Sequence, residues 1–325
     1  MSKNTPDWSK SLKRLLTRPE ATITVVLLVL VAIFGAINPR FASFANIAVI
    51  LRGASLMGIV AVGMSLCMIG GMIDISVGAT AGLCGAVFAM GLTSWGFGLV
   101  ASLLLSMAVG IGFGLLNCTL ILKGKVNPFI VTIATMFVAR GLVSYVTNGL
   151  TVYPLPDGFS EFGNAQPLGI SWIFFIFLAL VVIFEILLHT VWGLQLRAVG
   201  SDREIAFCTE VETDKITYHS FVIVGALAAT AGILGAVRMN GAQPLLGQGW
   251  EFWSLAACSI GGVSIYGYEG SLIGAFIGLV TIQVLINGLV AVGLSPYLQT
   301  VAIGVALCIA MMADARRREK LNIIT

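Results

Sequence analysis

The chain repeatedly alternates long apolar runs with short polar connectors, and that alternation restricts what it can fold into. A helix needs roughly 20 consecutive apolar residues to cross the hydrocarbon core of a bilayer. Runs of this kind lie near 21–38, 46–70, 75–92, 96–122, 128–147, 170–189, 216–237, 251–264, 271–293 and 297–313, about ten in all. Those at 75–92 and 251–264 are short and rich in Gly and Ser, and are expected to be broken or half-spanning. Composition points to the same solvent, because 58% of the 325 residues are hydrophobic and only 10% are charged. A soluble domain carries about 25% charged residues, so this chain cannot coat a water-facing surface of its size. The 38 glycines fit as well, since membrane helices use small residues where backbones pack closely. The expected fold is all-α, a polytopic transmembrane bundle of about ten helices.

Orientation follows from where Lys and Arg fall in the short connectors. The basic N-terminus, Lys123 with Lys125, the Arg197 to Lys215 connector, and Arg316, Arg317, Arg318 with Lys320 all belong on the cytoplasmic side. The connector from Asn148 to Leu168 holds only Asp157 and Glu161 and belongs outside. Ten spans satisfy every one of these assignments and put both termini in the cytoplasm. Lys3, Lys10, Lys13, Arg14 and Arg18 precede the first run, as in a secretory signal. That run is too long for a signal core and lacks a small-residue cleavage site, so it reads as an uncleaved span. The chain then divides into a cytoplasmic segment 1–20, a membrane domain 21–314 with a charged cytoplasmic piece at about 200–215, and a basic tail 315–325.

Several chemistries are excluded by what the sequence lacks. There is no glycine-framed Lys-Ser/Thr loop for phosphate, no G-x-S-x-G elbow and no H-E-x-x-H. His189 and His219 do not have metal-ligand spacing. The six cysteines form no C-x-x-C pair, and all but Cys208 lie in apolar stretches, where cysteine acts as a small hydrophobe. Basic residues are too scattered for nucleic acid. No catalytic residue, metal site or bound cofactor is expected, and any energy used must come from another chain.

Polar groups inside apolar runs each require a reason, because a central charge costs about 2.5–3.5 kcal/mol on insertion scales. Asp74 and Ser76 sit between two runs in IGGMIDISVG. They either face a pathway at an unwound break or cap the following helix. Asn127 before Pro128 marks a helix start. Phe129 follows, and Thr132 and Thr135 share the face of that helix which either lines a path or bonds between helices. Arg140, further along, is expected near the outer interface or snorkelling to it. Gln283 and Asn287 are four apart and must point into the bundle, as glue or as lining. Glu185 and His189 read as a local pair. In GSDREIAFCTEVETDK, Asp202 is expected to cap a short helix carrying Arg203, Glu204, Ala206 and Phe207, an ordinary connector or a docking knob. Ile69-Gly70-Gly71 and Ile260-Gly261-Gly262, followed by Gly78-Ala79 and Gly274-Ala275, suggest a duplicated half.

Six segments occur in one order: IGGMIDISVGA, KVNPFIVTIATMFVARG, LRAVGSDREIA, ALAATAGILGAVR, GAQPLLGQGWEF and SIGGVSIYGYEGSLIGA. Together they resemble the membrane subunit of bacterial ABC importers for ribose and related monosaccharides, over roughly Pro39 to Asp314. The resemblance implies a type II importer fold in the bacterial inner membrane. It also implies a second permease subunit (identical or not), cytoplasmic ATPases that hold the ATP and Mg, and a periplasmic substrate-binding protein. It makes Gly200 to Val211 a coupling segment, with Asp202, Arg203, Glu204, Ala206, Phe207 and Thr209 as ATPase contacts. It makes Asp74, Ser76, Asn127, Phe129, Thr132, Thr135, Gln283 and Asn287 candidates for the path. The chain departs from the family's usual residues at Asp202, Ile205-Ala206, Thr209-Glu210, Phe252-Trp253 and Tyr266-Gly267-Tyr268. The alternatives are a cargo such as autoinducer-2 in the same class of machine, or a secondary transporter working alone. The latter requires buried carboxylates at mid-membrane, where only Asp74 is on offer.

Overall fold

Apolar runs become helices wherever the sequence leaves them uninterrupted. The computed structural model describes residues 19–295, with Leu298, Val301, Gly304, Val305, Cys308 and Met312. Most of the expected last span, the segment 1–18 and the basic tail lie outside the described residues. The helices are α1 Pro19–Ile37, α2 Phe44–Ile69, α3 Val77–Thr93, α4 Leu99–Leu122, α5 Pro128–Val146 and α6 Phe159–Asn164. A 3-10 turn at Pro167–Gly169 precedes α7 Trp172–Leu188, α8 Val191–Ser201, α9 Arg203–Cys208, α10 Thr213–Arg238, α11 Trp250–Ile260 and α12 Leu272–Ala291. Among the described residues the only extended pairing is an isolated antiparallel bridge, Val152 with Ala242, which joins the connector after α5 to the connector after α10.

By length and composition α1, α2, α4, α5, α10 and α12 can each cross a membrane, and α7 with α8 would add a seventh, bent by 77° between them. α3 and α11 have 17 and 11 residues. At about 1.5 Å per residue the second spans only about half of a 30 Å core. The short runs are therefore short helices, as expected.

α10 is the hub. It is buried over most of its length and packs on α2, α3 and α4. Small residues make this possible: a Cβ at Gly225 would land on the Gly110 carbonyl, so α4 and α10 meet backbone to backbone. Close approach of this kind replaces the hydrophobic driving force that lipid removes. The outer surfaces are apolar, with Leu104 on α4 66% exposed and Phe137 on α5 68% exposed. Such faces need lipid or another membrane chain against them.

The suggested duplication has a structural counterpart. At the end of α2, Gly71 (φ +75°) donates to the Met68 carbonyl and Met72 to that of Cys67. At the end of α11, Gly262 (φ +86°) donates to Ser259 and Val263 to Cys258 in the same pattern. Both are helix stops in which glycine takes the left-handed position, and each opens a break before a helix rich in small residues.

Candidate functional site

The first break, between α2 and α3, holds a buried carboxylate. Asp74 Oδ1 accepts from the Ser76 amide at 2.8 Å and from its hydroxyl at 2.6 Å. Asn117 of α4 completes the group, donating to Ser76 Oγ at 2.9 Å and to Asp74 Oδ2 at 3.4 Å. Asp74, Ser76 and Asn117 are all buried. Ser76 stands at the N-cap of α3 without a side-chain cap bond, so Asp74 organises the approach to the helix rather than capping it directly. Asn117 was missed from sequence. Its signal is the four-residue spacing of Ser102, Ser106, Gly110 and Gly114, a small-residue stripe that continues to Asn117.

α5 begins as its Asn-Pro start implies, with Asn127 Oδ1 accepting from the Phe129 amide at 2.9 Å. Thr132 and Thr135 are buried and bond back to carbonyls of their own helix, Thr132 to Pro128 at 2.9 Å and Thr135 to Val131 at 3.1 Å. Thr132 also reaches the Ile73 carbonyl of the first break at 3.4 Å. The face that α5 turns outward is apolar instead, with Phe129, Ile130, Phe137, Val138 and Tyr145. Gln283 and Asn287 lie elsewhere, against α2. Asn287 Oδ1 accepts from Asn46 Nδ2 at 2.9 Å, and Gln283 Nε2 approaches Met57 Sδ at 3.5 Å. The structure thus gathers Asp74, Ser76 and Thr132 at one break and leaves Gln283 and Asn287 between α2 and α12.

Arg140 Nη1 donates to the Leu246 carbonyl at 2.9 Å. The segment after α10 folds back into the bundle and offers that carbonyl, which a membrane arginine takes in preference to lipid. Glu185 and His189 do not pair through their side chains. His189 Nδ1 meets the Glu185 carbonyl at 2.8 Å, while the Glu185 carboxylate accepts from the Leu272 amide at 2.6 Å, at the start of α12.

The charged piece at about 200–215 forms α9 as expected. Asp202 Oδ1 accepts from the Glu204 and Ile205 amides at 2.8 and 2.9 Å. Arg203 is pinned to α10 by Asp214 at 2.5 Å and Thr217 at 2.9 Å. Ala206 packs inward, whereas Ile205 and Phe207 are 63% and 71% exposed beside Glu204. Thr209 Oγ1 closes the helix on the Ala206 carbonyl at 2.9 Å. A cavity of about 690 Å³ opens next to this helix, lined by Gly71, Met72, Lys125, Asn127, Asp202 and Arg203 among others.

Just before α9, three backbones converge with no side chain between them. A Cβ at Gly200 would strike the Ile69 carbonyl, and one at Gly267 would strike the Gly200 carbonyl and lie 2.9 Å from Gly71 Cα. The Tyr268 amide donates to the Ile69 carbonyl at 2.9 Å. Arg197 of α8 grips the Tyr268 and Gly270 carbonyls at 2.8 and 2.9 Å. α8 is thereby fastened to both breaks at once. Among the described residues no group of three or more His, Cys, Asp or Glu is placed to hold a metal ion.

Comparison with known proteins gives this architecture its relatives. The ribose import permease protein RbsC of Escherichia coli is 32% identical over 305 residues, covering 90% of this chain and 93% of its own. That of Bacillus subtilis is 35% identical over 294 residues, covering 90% and 91%. The autoinducer 2 import system permease protein LsrC of Photorhabdus luminescens is 30% identical over 308 residues, covering 94% and 93%. The family model described as branched-chain amino acid transport system / permease component matches residues 46–311. With its succession of apolar helices, the chain is a multi-pass inner-membrane permease and belongs to that family of transport-system permease components.

Proposed function

We propose that this chain is the permease subunit of an ATP-binding cassette importer and carries a monosaccharide of the ribose type. It does so beside a second permease subunit, with cytoplasmic ATPases that hold ATP and Mg and with a periplasmic binding protein that delivers the cargo. The observation that carries this reading is the alignment of nine-tenths of the chain with two ribose import permeases. The geometry agrees with it. α9 offers Ile205 and Phe207 outward on a scaffold fixed by Asp202 and Arg203, a form suited to seating in a groove on a partner. The sequence holds no phosphate loop of its own, so the work falls to the partner chain.

Autoinducer-2 is the second reading for the cargo, favoured by the 30% identity to its import permease. The test is reconstitution in proteoliposomes with the candidate ATPase and binding protein, measuring uptake of labelled ribose. Vanadate-sensitive uptake that needs every component is expected. Uptake of autoinducer-2 in place of ribose would select the second reading, and uptake without any ATPase would overturn both.

A further inference from the structure

One pair of charges, a buried Glu251 and a half-buried Arg140, is unused by the importer reading. Arg140 stands on α5 and Glu251 in the first turn of α11. At about 1.5 Å per residue, Arg140 is about 18 Å along its helix from Pro128. Each charge is half satisfied. Arg140 Nη1 holds the Leu246 carbonyl at 2.9 Å, and Glu251 Oε1 accepts from the Gly249 amide at 3.3 Å. The other atom of each, Nη2 and Oε2, is buried without any hydrogen-bond partner, so the two do not bond to each other. Glu251 is only 4% exposed.

Both groups lie on one glycine face of α3. A Cβ at Gly78 would fall on Glu251 Oε2, and one at Gly82 would stand 3.4 Å from Arg140 Nη1. Gly78 and Gly82 are about one turn, or roughly 6 Å, apart along the helix. The free guanidinium N–H needs an acceptor and the free carboxylate oxygen needs a donor. A hydroxyl is both at once. An ammonium or a carboxylate would meet a like charge at one end. Each of the two charges also lies within the field of the other, which favours a neutral bridging group.

We infer that Arg140 and Glu251 form a contact for one hydroxyl of a neutral, polyhydroxylated solute passing through the chain, an inference that rests on the importer reading. In this conformation the Leu246 carbonyl holds Arg140 Nη1 and leaves Nη2 as the donor offered to the hydroxyl. The pair then selects for uncharged polyols inside the membrane, separately from the choice made by the binding protein.

The test uses the complete importer in proteoliposomes, with Glu251→Gln and Arg140→Lys, and compares the transported sugar with its set of mono-deoxy derivatives. Both variants see the same binding protein, so its preference cancels in the ratio of variant to parent. The expected result is a loss of uptake of about tenfold or more for the parent sugar. For one deoxy derivative the same variants are expected to lose little, because the partner hydroxyl is already gone. An equal loss for every derivative, the mark of a structural role or of a bridging water only, would overturn the proposal, as would unchanged uptake throughout. If Glu251→Gln fails to insert, Arg140→Lys, which keeps its charge, carries the same comparison. Absence of ATP-driven uptake in the parent protein would instead overturn the importer reading itself.

Discussion

Asp74 persists in a greasy interior because its oxygens are supplied with donors from Ser76 and Asn117. A carboxylate left short of donors costs about 1–3 kcal/mol or more. Asn117→Leu is therefore expected to destabilise the protein by about that amount, seen as a lower unfolding temperature in detergent. Asn287 presents the opposite case. Its bond to Asn46 ties α2 to α12, and such bonds average about 0.6 kcal/mol in membranes. Asn287→Leu is expected to leave uptake near the parent value with a small loss of stability, and a severe loss of uptake would make it a path residue. Sequence reading at this scale succeeded where the signal was local, as at Asn127-Pro128 and the Asp202 cap. It failed where the partner came from a distant segment, since nothing near Arg140 reveals that Leu246 folds back to meet it.

Among the elements, α9 and the helix before it carry the clearest expectations. Glu204→Lys reverses an exposed charge next to Ile205 and Phe207, so ATP-driven uptake is expected to fall sharply while membrane insertion, assayed by fractionation, is unchanged. Gly200→Ala forces a methyl group onto the Ile69 carbonyl. It is expected to destabilise by about 1–3 kcal/mol, the usual cost of overpacking, and to impair transport as well. A thermal melt and an uptake assay on one preparation check both. Helix ends were legible within a few residues because apolar length sets them. The sharp bend between α7 and α8 was not, since no proline marks it.

At the level of the whole molecule, sidedness and burial can be tested together. Cys67, Cys84, Cys118 and Cys258 are buried, whereas Cys208 on α9 is exposed. In a Cys308→Ala background, a membrane-impermeant maleimide is expected to label Cys208 in inside-out vesicles and not in right-side-out ones. Adding the partner ATPase is expected to protect it. The apolar helices themselves were legible from apolar length, because the bilayer imposes it, and six of those among the described residues, or seven with the bent pair, are long enough to cross. The path was not, because in the proposed importer a single chain would supply only half of the enclosure. The outward face of α5 is accordingly apolar in isolation.

The meeting of Gly71, Gly200 and Gly267 has a mechanical consequence. Bare backbones in contact have no soft padding to absorb displacement, so a shove delivered at the cytoplasmic knob reaches both interrupted helices in one stroke. The two glycine-stopped breaks are geared to a common shaft. A machine built this way resists opening its inner and outer doors independently, which keeps it from becoming a leak.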